Sequence, residues 1–207
     1  MRNTEKKRSQ GSSSRREEIL QVAAQLFASK GFEATSIREI GDAAGILSGS
    51  LYHHFKSKEE MLHDLLQRFV NKLVPMYEAV IAEQSDAGDT LSRLIEAGLR
   101  ISLENTPELT VIMHERKFLN RHGEFAYVSE VMLDVERIWF GVLQEGVRNG
   151  SFRKDLEINL VLRIIMDLIS STASWYRPNS RYSPEQIVKN QVSLLFSGLL
   201  ARPDLQS

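Results

Sequence analysis

The sequence predicts an all-α fold. Apolar residues recur at helical spacing along most of the chain, capping signals mark one helix start after another, and no alternating apolar–polar run of useful length appears. About nine helices are expected, in a small unit over 14–58 and a larger one over 59–207, preceded by a basic arm over 1–13.

The arm (MRNTEKKRSQGSS) is polar, has no apolar period and is expected to be disordered. The first helix is expected to start at Ser14, because Ser14-Arg15-Arg16-Glu17 has capping-box form: hydroxyl and carboxylate satisfy free N–H groups of the first turn. Ile19, Val22, Ala23, Leu26 and Phe27 give it an apolar face, and Gly31 ends it. A second helix starts at Ser36 with Glu39 as box partner and ends near Ala44, where Gly45 turns the chain. A third covers Ser48 to about Phe55. Ser57 and Glu60 cap a fourth, which runs to about Gln84 and is kinked by Pro75. Further helices are expected over Asp89–Glu104, from Thr106-Pro107 onward, over Glu124–Arg148 and over Asp155–Tyr176. The last runs from Ser183-Pro184-Glu185-Gln186 to about Leu200.

Of the 207 residues, 26% are charged and 42% hydrophobic, ordinary for a soluble globular protein, and the net charge is −1. The charge is unevenly spread: residues 1–58 hold ten Lys/Arg against six Asp/Glu, the remainder sixteen against twenty-one. A basic first part on an acidic body points to a polyanion met by the first part alone. The chain has no Cys, which excludes disulfides, thiolate metal sites and a thiol nucleophile, and fits a reducing cytoplasm. The most apolar stretch, Leu160 to Ile169, is broken by Arg163 and Asp167, so no membrane-spanning helix and no membrane partner are expected. The basic start is not followed by the apolar core of a signal peptide.

The informative stretch is Gly31 to Lys58, GFEATSIREIGDAAGILSGSLYHHFKSK. Two short helices meet at Ala44-Gly45-Ile46, with Ile37, Ile40, Ala43, Ile46, Leu51 and Phe55 set to fix them against the first helix. Ser48, Gly49, Ser50, Tyr52, His53 and Lys56 remain outward on the third helix, and small or hydrogen-bonding groups of this kind fit the major groove. Small residues let the backbone approach the bases, and Tyr and His suit phosphate oxygens. Lys58 opens the next helix, where its charge and the free N–H groups can face a phosphate. His53 and His54 are adjacent and point roughly 100° apart on a helix, so they cannot share one ion and no metal site is expected.

Thr35-Ser36-Ile37-Arg38-Glu39-Ile40, then Gly45, then Leu51-Tyr52-His53-His54-Phe55-Lys56-Ser57-Lys58 resembles the DNA-binding domain of TetR-type transcriptional repressors. The resemblance implies a double-stranded DNA operator as partner. Thr35, Ser36, Tyr52, His53 and Lys58 match phosphate-contacting positions, whereas Arg38, Ser48, Gly49 and Ser50 match positions facing base edges. Arg2, Lys6, Lys7, Arg8, Arg15 and Arg16 are candidates for flanking phosphates or the minor groove, or for a solvated tail.

A helix apolar around most of its circumference needs cover on both sides. That describes 155–176 and the last helix, and for a chain this short the second cover is expected to be another copy of itself. Two such helices per subunit give a two-fold intersubunit four-helix bundle, a homodimer that also sets two reading helices about one turn of DNA apart. The C-terminal part resembles the acyl-CoA-responsive subgroup of these regulators, including steroid-catabolism repressor-like members. The resemblance rests on His114-Glu115-Arg116, the segment from Gly146 to Arg153, and Trp175-Tyr176-Arg177-Pro178. It departs at Met166 and Ser170, which match an Arg and a Trp used toward the thioester in steroid-responsive members. The implied effector is a small apolar molecule or an acyl-CoA thioester, with no resident cofactor. Met113, Phe118, Trp139, Phe140, Arg163, Met166, Ser170 and Trp175 are the candidate ligand-binding residues. Each aromatic also fits ordinary core packing, and Arg163 and Asp167 are spaced to pair across one turn. Effector binding is expected to move the fourth helix and change the spacing of the reading helices.

An enzyme is not expected: His63, His114 and His122 have no Ser or Asp companion at catalytic spacing, and no Gly-rich phosphate loop is present. A helical interaction protein without DNA binding, or a transcriptional activator, are the other readings.

Overall fold

The computed structural model describes residues 2–177 and 179–199, with side chains from Arg15 onward. Its helices are α1 (Arg2–Lys30), α2 (Ile37–Ala43), α3 (Ser48–Leu51), α4 (Lys58–Ala82), α5 (Ala87–Glu104), α6 (Thr106–His114), α7 (Arg116–Arg121), α8 (Ala126–Asn149), α9 (Ile158–Trp175) and α10 (Pro184–Leu199), with a 3-10 turn at Gly123–Phe125. The all-α expectation holds.

α1 to α3 and the start of α4 close around Ile19, Leu20, Phe27, Ile40, Leu51, Phe55 and Leu62, all buried. α2 starts in the reciprocal cap read from the sequence. Glu39 N–H donates to Ser36 Oγ at 3.2 Å, and Ser36 N–H donates to Glu39 Oε2 at 2.9 Å. The chain then turns at Gly45, whose φ of +66° strains any residue with a Cβ. Ile46 N–H donates back to Gly41 O at 2.9 Å. A Cβ on Gly41 would stand 3.0 Å from Ile46 O, so the turn lies tight against α2. α3 is one turn long rather than two, because Phe55 curls inward beneath Arg16, whose guanidinium lies 4.3 Å from the ring centroid. Ala43, expected inside, is exposed.

α4 carries the chain from this unit into the body, with Pro75 inside it. α5 is the central helix of the body and packs against α4, α8, α9 and α10. Leu94, Ile95, Leu99, Trp139, Leu143 and Ile165 fill the space between these helices. Each such side chain stabilises the fold by about 1.5–3 kcal/mol on burial.

Two expectations are corrected. α1 continues back to Arg2 through the segment expected to be a disordered arm, so Ser14 lies inside a helix rather than at its start. The arm has no Pro and one Gly, and its Lys, Arg, Gln and Glu residues are adequate helix formers, so nothing stops the helix extending. The sixth expected helix is broken at Glu115 into α6 and α7, which gives ten helices among the described residues instead of nine. Within the one chain, α9 and α10 each keep part of their apolar surface uncovered. Leu162, Ile165 and Ile169 of α9 face the core, but Leu160 and Ile164 are 57% and 51% exposed, and Leu194 of α10 is 73% exposed. By length and composition α9 is apolar enough to cross a membrane, yet its other face is packed on α5 and α8. Arg163 and Asp167 do pair, at 3.2 Å, but on the exposed face of α9.

Candidate nucleic-acid interface

The α2–α3 unit presents one outward surface. Arg38, Gly49, Tyr52, His53 and Lys56 are exposed, and Ser48 and Ser50 are half-buried at its edge. Arg38 meets Asp42 only loosely, at 3.9 Å with both side chains in solvent, so the guanidinium is available to a ligand. Lys56 donates its backbone N–H to Glu60 at 2.6 Å, and the residue is exposed. Leu47 was not singled out by sequence reasoning, yet it lies on the same surface and is 80% exposed. An apolar residue between Ile46 and Leu51 reads as core until the turn geometry is known.

Two of the expected phosphate contacts are spent inside the protein. Thr35 is buried, and its hydroxyl donates to Gly31 O at 2.8 Å, closing the end of α1. Lys58 Nζ donates to Phe32 O at 2.7 Å, Thr35 O at 2.8 Å and Glu33 O at 3.3 Å, which uses all three ammonium hydrogens. It also stands 4.4 Å from the Phe32 ring centroid. Lys58 therefore ties the α1–α2 loop to α4. Ser36 is exposed, but its hydroxyl donates to Glu39 Oε2 at 2.9 Å within the cap. Arg15 donates to Ala44 O at 2.8 Å, and Arg16 pairs with Asp64 and reaches His54 O at 3.4 Å. These two arginines hold the ends of α2 and α3 in place. Lys30 pairs with Glu39, and this contact, together with the hydrogen bonds from Ser36, holds the Glu39 carboxyl down at about 2.

The body grips this reader at Phe32. Glu115, at the break between α6 and α7, accepts Phe32 N–H at 2.7 Å. Phe118 of α7 packs on the Phe32 ring at 4.9 Å and stacks on His122 at 4.0 Å. Gly31, with φ +91°, leaves room for the Glu115 carboxylate, because a Cβ there would stand 3.2 Å from Oε1.

The candidate ligand-binding residues do not converge on one opening. Phe118 belongs to the joint with the reader. Arg163 is exposed on α9, Met113 and Trp175 are about half exposed, and Phe140, Met166 and Ser170 are half-buried. Trp139 alone is fully buried. Its ring meets Tyr77 edge-on at 5.4 Å, and its indole N–H, short of a full hydrogen bond, has the Tyr77 hydroxyl as its polar neighbour. Burial pushes the Tyr77 hydroxyl well above its usual range. Gly98 of α5 makes this approach possible, since a Cβ there would come within 2.9 Å of the Tyr77 oxygen. Open grooves run along α5 instead, one of about 490 Å³ lined by Lys72, Met76, Arg93 and Arg100 among others. The segment from Gly146 to Phe152 is structural. Phe152 is fully buried against Gly146, and its N–H donates to Gly146 O at 2.9 Å.

Residues 19–65 match bacterial regulatory proteins of the tetR family, and residues 84–199 match the tetracyclin repressor-like C-terminal domain. The chain is 38% identical to the HTH-type transcriptional repressor KstR2 of Rhodococcus jostii, over 91% of this chain and 93% of the relative. The solved ketosteroid transcriptional regulator KstR2 of Mycobacterium tuberculosis superimposes with a TM-score of 0.87 at 34% identity, over 91% of this chain and 96% of that one. AibR, solved with isovaleryl coenzyme A and operator DNA, shares the fold with a TM-score of 0.75 at 20% identity, over 89% of this chain and 99% of that one. Both KstR2 relatives are transcriptional regulators. The chain is a DNA-binding transcriptional regulator with a helix-turn-helix N-terminal unit on a helical body, and it belongs to the TetR family.

Proposed function

We propose that the protein is a homodimeric repressor that binds two half-sites of a palindromic operator and leaves it when a small effector enters the body. The observation that carries the reading is the division of labour in the reader. Arg15, Arg16, Lys30 and Lys58 are consumed in building it, whereas Arg38, Lys56, Tyr52 and His53 face outward together. The exposed apolar stripe of Leu160 and Ile164 on α9, with Leu194 on α10, supports a second copy as the missing cover. The buried Trp139 N–H, whose polar neighbour among the described residues is the buried Tyr77 hydroxyl, supports an effector that brings a carbonyl acceptor. An apolar acyl-CoA thioester is the first class to try. Such a molecule reaches Trp139 only if α4, α5, α8 and α9 part, and α4 begins in the reader at Lys58. A coupling of about 1–3 kcal/mol through that helix and the Phe32 joint shifts operator affinity some 5–150-fold.

The direct test is binding to an inverted-repeat operator as a function of salt. Two Arg38 and two Lys56 per dimer set a log–log slope of roughly −2 to −4. Absence of binding, or affinity independent of salt, refutes the reading. For the effector, Trp139→Phe is expected to keep operator affinity and lose release by acyl-CoA mixtures. Release that is unchanged in this variant removes Trp139 from the effector site.

A further inference from the structure

We propose that Leu47 reads a thymine 5-methyl group in the major groove, so that an apolar side chain, beside the polar face of α3, selects the operator. The inference rests on the DNA-binding reading above. An exposed leucine alone carries little meaning; its place does. Leu47 is the most exposed large apolar side chain among the described residues, at 80%. It occupies the N-cap of α3 and makes no side-chain capping hydrogen bond. Ser, Thr, Asp or Asn at an N-cap would satisfy a free N–H there. The free protein therefore loses on two counts, an uncapped helix and an apolar side chain in water, and nothing packed against Leu47 offsets either.

What Leu47 stands beside identifies the partner. Ser48, Gly49 and Tyr52 continue the same surface, and Gly49 has no side chain to hold the surface away from a groove floor. Leu47 carries extended φ/ψ of −64° and 138°, and its carbonyl accepts Ser50 N–H at 2.8 Å, which fixes the residue at the leading edge of α3. Of the groups that base pairs present in the major groove, the thymine methyl is the apolar one. A leucine at the tip of a reading helix complements that group and none of the polar edges.

The test uses operator duplexes recovered by selection from random double-stranded DNA. Each thymine is replaced in turn by deoxyuridine, which deletes one methyl and keeps the base pair. With the unmodified protein, replacement at one symmetry-related thymine lowers affinity about fourfold per half-site, the worth of one buried methyl. Leu47→Ala loses about the same factor on the thymine operator and no longer responds to that replacement. Leu47→Ser behaves likewise and melts no lower than the parent, because it supplies the missing cap, so lost binding is not lost folding. Methyl sensitivity that persists in both variants, or equal affinity in all three proteins, overturns the role of Leu47 and leaves the reader standing. Failure to recover any bound duplex overturns the reader itself, and this inference with it.

Discussion

Gly49→Ala separates folding from DNA approach within one residue. Gly49 is exposed in α3, and a Cβ built on it meets nothing within 4 Å. The free protein has no packing reason for glycine there. A helical glycine costs about 0.5–1 kcal/mol relative to alanine through backbone entropy. Gly49→Ala is therefore expected to raise the melting temperature by about 1–4 °C in a chain of this length. On the operator the sign reverses. If α3 approaches the bases closely enough to need a bare backbone, the added methyl is forced into a packed interface at about 1–3 kcal/mol per half-site. That is roughly a 5- to 150-fold loss in affinity. Differential scanning fluorimetry and fluorescence anisotropy on the same preparation give the two numbers. A more stable variant with unchanged affinity refutes the close approach, and a less stable one refutes the statement that the site is open.

Ile164→Glu with Leu160→Glu places two charges on the exposed stripe of α9 and is expected to give a monomer at micromolar concentration; a dimer in sedimentation would remove that face from the interface. Gly146→Ala sets a Cβ 2.2 Å from the Phe152 ring, so about 1–3 kcal/mol of stability is lost while the folded fraction keeps its operator affinity. The Glu39 carboxyl, held at about 2 by Lys30 and Ser36 against an ordinary 4.5, stays ionised in the fold. Its contribution to the α2 cap is therefore full above pH 4.5 and disappears as pH falls toward 2. Amide exchange at Ser36 and Glu39 should accelerate across that window in the parent and show no such pH step in Glu39→Gln; identical profiles refute the assignment.

Much of the fold was legible because its signals are local. Ser36 with Glu39, and Ser183 with Gln186, are caps written within four residues, and both form as read: Gln186 N–H donates to Ser183 Oγ at 3.3 Å. Gly150 with φ +83° ends α8 where Asn149-Gly150 indicated. The break at Glu115 was not legible, because nothing between Thr106 and Arg121 opposes a continuous helix. What bends the chain is a hydrogen bond to Phe32, 83 positions away in sequence. The same holds for Lys58 and Thr35. Their residue types suit phosphate, and only tertiary structure reveals carbonyls already waiting for them. Leu47 escaped for the complementary reason: apolar type suggests the interior, and only the turn at Gly45 places it in solvent.

Phe32 is the point at which these long-range contacts combine, and its chemistry constrains how a signal crosses from body to reader. Its N–H is held by the α6–α7 corner and its carbonyl by the first residue of α4, while its ring is packed by Phe27 of α1 and Phe118 of α7. A carboxylate bond to a backbone N–H is charge-assisted and directional, so the Glu115 corner cannot slide along α1 without breaking it. Lys58 sits on the same residue from the other side, so a shift of α4 pulls on the loop that precedes α2. Two parts of the body thus act on one residue. Because Arg15 and Arg16 tie the ends of α2 and α3 to α1, a rearrangement of α4 or α6 that displaced Phe32 would carry the three helices together. The motion expected on effector binding is therefore a rigid-body displacement about Phe32 that leaves the recognition face unchanged, and a bound structure with a repacked α2–α3 turn would refute it.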